Sequence, residues 1–384
     1  MSLIVGIDAS RNRSGGAKAH IIGILSEFNP LKHGIKKIHI WSFRSLLDQL
    51  PDYPWLVKHN PLELEQSLFK QLLWQATSFA GEVKSTNCDI LFNTNAITLC
   101  RFEPMVVLSQ TMISYEPGIM QYYGYGLVRF RFLVIHVLQN LAFRRANGVI
   151  FLSHYAAQII QKSCGPLKRV VNIPHGVNEI FKKGHSIIEW PDQKERSVRC
   201  VYVSKTDMYK HQWVVVKAIS LLRESGLNIT LSLVGGGSGH AKTILENTIS
   251  DIQTNEVFVQ QIDFLSHEDL PNLLVQNDVF IFASSCENLP ITLVEGMAMG
   301  LPIACSDRGP MPEVLQDGGV YFDPEDDKSI ADAIEKIVLS ADLRMSISRR
   351  AKSLAKKYNW TRCSNETFKF ITEIHLNSRM RRTT

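Results

Sequence analysis

The chain has 384 residues, 45% apolar and 21% charged, an ordinary globular composition that is long for one core, so two domains of similar size are expected. A formal charge of +5 permits an anionic ligand, nucleic acid or an acidic membrane surface and selects none of them. Seven scattered cysteines, never in C-x-x-C, argue against a disulfide framework or zinc site, and no apolar run reaches the ~18 residues a membrane-crossing helix needs.

In chain order, Leu3 to Ile7 reads as a first strand. It has no basic n-region before it, so a secretory leader is not expected, and a cytoplasmic location is. It runs into DASRNRSGGAKAH (8–20), where Gly15 and Gly16 precede a helix; this is either a phosphate-friendly helix start or a plain tight turn. Further strands are expected at Ile38–Trp41, Ile90–Phe92, Met105–Leu108 and Gly148–Leu152, with a helix over Lys70–Phe79. MQYYGYGLVRFRFLVIHVLQNLAFRR (120–145) reads first as a core helix with an amphipathic rim, and second as a membrane-facing patch. His20 and His175 read as packing and hinge residues, and Cys286 as a small buried one.

Alternation breaks once, at the polar stretch EIFKKGHSIIEWPDQKERS with its Pro191, a linker composition. Beyond it, strands are expected at Arg199–Val203, Ile229–Val234, Val257–Val259, Val279–Phe282, Pro302–Cys305 and Gly319–Phe322. Helices are expected at Gln212–Arg223, Leu293–Met299 and Ser329–Leu339. Strand–helix alternation implies parallel sheets covered on both faces. The expected plan is α/β: two doubly wound, Rossmann-like domains facing across a cleft, residues 1–178 and 198–360, joined by a linker at 179–197. A C-terminal helix, about 361–384, can pack back on the first domain, and the tail RMRRTT is expected to be disordered.

Three segments of the second half carry chemistry. In VYVSKTDMYKHQ (201–212), Lys205 and Lys210 follow a strand and can clamp a diphosphate, or belong to a solvated loop. In SLVGGGSGHAKT (232–243), Ala241 stands where a P-loop needs glycine, so Gly235 to Gly237 read as a turn that lets backbone approach a ligand. In CENLPITLVEGMAMGLP (286–302), Pro290 opens a helix whose first amides, around Leu289 to Thr292, can hold an anion between the carboxylates of Glu287 and Glu295. Carboxylates accept hydroxyls and repel phosphate, so the pair fits hydroxylated groups flanking a diphosphate, as in a nucleotide sugar. A solvated loop glutamate and an ordinary helical one remain the alternative.

The ordered set resembles retaining glycosyltransferases of the GT-B fold, family 4. Glu287 and Glu295 match the E-x7-E motif within ENLPITLVEGMAMGLPIACSDRGPMPEV. SKTDMYK resembles the G-R-x-x-x-x-K phosphate loop, with Ser204 and Lys205 in place of Gly and Arg. IPHGVN (173–178) resembles I-P-N-G-V-D, VYFDPEDDKSIADAI and KYNW match the end of the family domain, and RSGGAKAH resembles its glycine loop. The resemblance implies transfer of a sugar, with retention, from a nucleoside-diphosphate donor to a saccharide or lipid-linked acceptor, in bacterial surface polysaccharide or lipopolysaccharide synthesis. A nucleotide-sugar epimerase or hydrolase on the same fold, or a catalytically silent binding protein, is the alternative.

By the same resemblance Glu295 binds the donor ribose and Glu287 the transferred sugar, while Lys205 and Lys210 neutralise the leaving diphosphate. Gly16, Gly235, Gly236, Asn288, Leu289, Pro290, Ile291 and Thr292 complete the donor side, with Gly15 and Gln110 on the acceptor side. Gln110 stands where many members carry histidine. No D-x-D occurs, so neither metal nor cofactor is expected. No nucleic-acid partner is expected either, and any membrane contact would be peripheral, on the cytoplasmic face of the inner membrane.

Overall fold

Strands buried on both faces read as unbroken apolar runs, and ILFN, MVVL, GVIF, VFIF and IACS are such runs. The computed structural model describes residues 3–13, 15–182, 190–191, 196–252 and 256–383, with side chains through 380, and each of those runs is a fully buried strand in it. The chain divides into one unit of Met1–Gly176 with Tyr358–Thr384, and a second of Val177–Lys357. The expected linker lies partly outside the described residues, at 183–189 and 192–195.

The first unit is a parallel sheet of β1 (Leu3–Asp8), β2 (Ile35–Trp41), β3 (Leu56–His59), β4 (Ile90–Asn93), β5 (Met105–Leu108), β6 (Gly148–Phe151) and β7 (Val170–Asn172). Their order is β3-β2-β1-β4-β5-β6-β7. The second repeats the plan with β8 (Val198–Val203), β9 (Ile229–Val234), β10 (Val259–Ile262), β11 (Val279–Phe282), β12 (Ile303–Ser306) and β13 (Val320–Phe322), ordered β10-β9-β8-β11-β12-β13. In both, strand order reverses direction beside the first strand, between β1 and β4 and between β8 and β11. Crossovers leave to opposite faces there, so the loops at the strands' carboxyl ends diverge and leave room for a ligand.

Some sequence expectations shift. β3 and β7 went unread because they are edge strands, short, half-buried and partly polar, so neither periodicity nor an apolar run marks them. The strand expected at Val257–Val259 sits at Val259–Ile262. Lys70–Phe79 divides into helices Leu68–Thr77 and Phe79–Ser85. Of the tail RMRRTT, expected to be disordered, residues 379–383 belong to the last helix, Trp360–Thr383, and Thr384 lies outside the described residues.

That last helix belongs to the first unit and lies on α1 (Gly15–Ser26). Ser364 Oγ donates to the Ile24 carbonyl at 2.7 Å, and Phe368 tilts on Phe28 at 4.3 Å between ring centres. The two helices meet where Gly23 has no side chain: a Cβ there would stand 2.2 Å from the Trp360 ring. Helix propensity alone favours alanine over glycine by about 1 kcal/mol. Overpacking of a ring locked in place costs about 1–3 kcal/mol, so the clash decides the sign. Gly23→Ala is expected to lower the melting temperature by several degrees in differential scanning calorimetry, and a rise would show that the ring moves freely.

His20 and His175 are both buried and stack at 4.7 Å between centres, with Trp360 beside them. Burial pushes the His175 imidazole down to about 3, so it packs as a neutral ring. The helix expected to be a core helix, α2 (Leu127–Arg145), buries only Gln139, Ala142 and Phe143. That expectation is corrected: most of the apolar residues of α2 face outward.

Candidate functional site

In the second unit the two switch-point strands deliver the candidate residues. β8 ends at Val203 and hands over to Ser204 and Lys205; β11 ends at Phe282 and hands over to the loop 283–290. The β8 loop is fastened at both ends. Gln212, first residue of α3 (Gln212–Glu224), donates to the carbonyl and hydroxyl oxygens of Ser204, each at 3.0 Å. Tyr202 donates its hydroxyl to the Lys210 carbonyl at 2.9 Å. Between them His211 takes a left-handed backbone, φ 48°, a conformation that costs a non-glycine residue about 1–3 kcal/mol. Its ring nitrogen Nε2 meets Ser285 Oγ at 2.8 Å, tying this loop to the β11 loop, and burial lowers its pKa to about 4.

The tie aims Lys210 at Glu287. Their side chains form an ion pair, 10% and 16% exposed, and the ammonium also lies over the Phe282 and Tyr209 rings at 5.6 and 5.2 Å. An ammonium has three donors, and Glu287 takes one. Lys205 differs: it is 63% exposed and, among the described residues, pairs with Asp207 at 3.4 Å, a contact of little energetic weight. Equal in the sequence, the two lysines are unequal in the fold.

α4 (Ile291–Met299) opens at Pro290, and the first amide with a partner in its own ladder is that of Val294, on the Pro290 carbonyl at 3.1 Å. The amides of Ile291, Thr292 and Leu293 lie ahead of that ladder, at the positive end of the dipole. The helix sits flush on β11 because Gly296 has no side chain: a Cβ there would be 3.0 Å from the Phe280 ring. Asn288 and Leu289 are buried at the head of this helix.

Glu295 is on the same helix and only 4% exposed. Its Oε1 accepts from His267 Nε2 at 2.7 Å, while Oε2 is buried with no partner among the described residues. Burial raises its pKa, and the bond to Glu295 raises that of His267. His267 is held in turn against Phe181 at 5.1 Å between ring centres. Sequence reading missed His267, since a lone histidine 28 residues before its partner gives no spacing signal. A buried carboxylate oxygen without a donor costs about 1–3 kcal/mol or more, which a ligand hydroxyl would recover.

The glycine turn after β9 has another occupant than the one expected. A Cβ on Gly235 would stand 2.5 Å from the Ser204 carbonyl oxygen, and one on Gly237 the same distance from the Thr206 side chain. The Gly235 and Gly236 amides donate to the carbonyls of Ile262 and Asp263 at 2.8 and 2.6 Å. These glycines thus let the β8 loop pack closely; their amides are already committed and do not form a phosphate cradle.

In the first unit the β1 loop is braced by Asn12, which donates to the Ala17 carbonyl and accepts from Thr94 Oγ1, both at 2.8 Å. Gly15 starts α1 at φ 58°, and the space beside Gly15 and Gly16 is open. Gln110, in the loop after β5, buries both amide atoms with no partner among the described residues. The same loop holds Glu116, which no motif singled out. It accepts from the Tyr155 hydroxyl, its Oε2 has no partner among the described residues, and burial lifts its pKa to about 6.

Two parallel-sheet units of this topology make the fold GT-B, and solved structures of low sequence identity agree. Sucrose-phosphate synthase from Thermosynechococcus elongatus superposes over 100% of both chains with a TM-score of 0.75 at 14% identity. HepE from Anabaena, solved with UDP and glucose, superposes over 98% of this chain and 100% of its own with a TM-score of 0.69 at 18% identity. Residues 187–354, less than half of the chain, match the family described as glycosyl transferases group 1. O-antigen chain mannosyltransferase B of Escherichia coli is 29% identical over 114 residues, 30% of either chain. The chain spans 30% to 62% of the length of the first two curated relatives it matches.

Proposed function

We propose that this protein is a glycosyltransferase that moves a sugar from a nucleoside-diphosphate donor to a saccharide or lipid-linked acceptor, in the synthesis of a bacterial surface polysaccharide. The observation that carries the reading is Glu295. A carboxylate this deeply buried, with one oxygen anchored and the other lacking a donor, fits the hydroxyls of a ribose. The leading amides of the same helix, and Lys210 from the β8 loop, offer positive charge to a diphosphate, and the exposed Lys205 can reach it. HepE, solved with UDP and glucose, and the mannosyltransferase relative point to the same substrate classes.

The chemistry follows from where charge develops. As the glycosidic bond breaks, the leaving diphosphate gains negative charge, and fixed donors stabilise it most in the transition state. Lys210, held rigidly, and the α4 amides do this without a metal. Glu287, beside Lys210, is placed to accept sugar hydroxyls. Retention of configuration belongs to this reading. On the acceptor side Gln110 cannot take a proton, whereas Glu116, with its pKa near neutral, can.

The test is a thermal-shift panel of UDP, GDP, ADP and TDP, followed by incubation of the matching donors with and without saccharide acceptors. A ligand at about 100 times its dissociation constant adds about 2.7 kcal/mol, a shift of a few degrees. One diphosphate is expected to stand out, with its sugar transferred only when acceptor is present. Donor consumed equally without acceptor would point instead to hydrolysis or epimerisation, and no shift with any nucleotide would overturn the reading.

A further inference from the structure

α2 is amphipathic the wrong way round for a soluble protein. Its uncharged polar residues point inward and are bonded there. His136 Nδ1 meets the Ser114 carbonyl at 2.8 Å, Gln139 donates to Thr111 Oγ1 at 2.8 Å and accepts from Ser114 Oγ at 3.1 Å, and Asn140 accepts from the Tyr115 hydroxyl at 2.9 Å. These residues, which interrupt the apolar run in the sequence, are the anchors that hold the helix to the first unit.

Outward lie Leu127, Phe130, Val134, Val137 and Leu141, spaced 3, 4, 3 and 4 residues apart, so all five share one face. They are 88%, 65%, 42%, 57% and 41% exposed. Leu133 and Val128 widen the stripe, which runs about 21 Å along the helix at 1.5 Å per residue. Tyr125, almost fully exposed just before the helix, stacks under Arg129 at 4.4 Å. A contiguous apolar surface of this kind, bordered by polar groups, marks a docking face.

Charge identifies what docks. Residues 117–178 contain no Asp or Glu and seven Lys or Arg, namely Arg129, Arg131, Arg144, Arg145, Lys162, Lys168 and Arg169. Four of these are on α2 itself. A second copy of the chain placed symmetrically against this face would set arginine against arginine, a like-charge contact that disfavours a dimer. An anionic lipid surface complements both features at once. Its acyl boundary accepts the aliphatic stripe and its phosphates accept the arginines, while an aromatic ring near the helix start suits the headgroup level.

We propose that α2 is a membrane-docking helix that lies in the plane of an anionic phospholipid bilayer. This inference rests on the first unit alone and stands whether or not the sugar-transfer reading holds. If both hold, the acceptor is taken from the membrane surface.

The experiment uses the full chain and sedimentation with phosphatidylcholine vesicles, with and without phosphatidylglycerol. Binding is expected to be at least about tenfold stronger to the anionic vesicles and to weaken with salt. The double variant Phe130→Glu/Val137→Glu is expected to abolish it, and Arg131→Glu/Arg145→Glu to reduce it to the level of neutral vesicles. Both variants change exposed positions, so melting temperature and nucleotide binding should be unaltered, which separates this outcome from failure of the functional reading. Absence of binding to anionic vesicles at low salt overturns the proposal, as does equal binding to both vesicle types. So does a dimer, seen by analytical ultracentrifugation, that Phe130→Glu/Val137→Glu dissociates.

Discussion

Glu295→Gln is expected to weaken binding of the preferred nucleoside diphosphate by about 100-fold without lowering the melting temperature of the free protein. A hydrogen bond to a charged acceptor contributes about 1.5–3 kcal/mol, and a ribose diol can give two, so loss of the charge costs one to two orders of magnitude in affinity. The stability side has the opposite sign. Burial holds the Glu295 carboxyl above its ordinary value, so its contribution to folding is fully present at low pH and is lost as pH rises through the folded-state pKa. A neutral amide carries none of the desolvation penalty that raises this carboxyl's pKa, so the substitution removes that cost from the fold. Isothermal titration calorimetry with the ribo- and 2′-deoxyribonucleotide checks the assignment: the wild type should discriminate between them and the variant should not. Equal affinity of wild type and variant for the ribonucleotide would remove Glu295 from the site.

Lys210→Ala is expected to reduce turnover by 100- to 1,000-fold, roughly what loss of one preorganised donor to a developing anion costs. Lys205→Ala should cost only about tenfold, because that side chain is exposed and held by one weak pair, so water and salt already screen it. Removing Lys210 also strands Glu287 in a poorly solvated place, since the pair is 10% and 16% exposed. Some of the loss will then appear as lower stability, and Lys210→Arg separates the two effects by keeping the charge. Steady-state rates of sugar transfer at saturating donor, read beside melting temperatures, decide the matter. Equal losses at the two lysines would mean that the rigid mounting of Lys210 by Tyr202 and His211 has no catalytic consequence.

How legible was this site? Glu287, Glu295 and the lysines could be singled out because the features that mark them are local: a strand, a loop, a helix start, and carboxylates eight positions apart. Their inequality could not. That Lys210 is gripped follows from Tyr202 and from the His211–Ser285 contact, which chain order does not reveal, while Lys205 is exposed. The glycines at 235 and 236 look like a phosphate loop in sequence because glycine reports only that something comes close. The structure places a neighbouring loop there. Glu116 and Gln110 sit in one loop, yet only burial distinguishes them from solvated polar residues.

By itself the sequence determined the alternation of strands and helices, hence two parallel sheets, and the ordered set of motifs that resembles a group 1 glycosyltransferase. Those depend on period, composition and short-range spacing, which chain order preserves. Tertiary structure alone decided which groups are buried, which are paired and which way a helix faces. His267 became the partner of Glu295 through packing across 28 positions. α2 became an exposed surface because His136, Gln139 and Asn140 found bonds on the inner side. A helical pattern fixes that one face differs from the other, and hydrophobicity normally sends the apolar face inward. Here inward hydrogen bonds hold the polar face, and the apolar one is left for a partner.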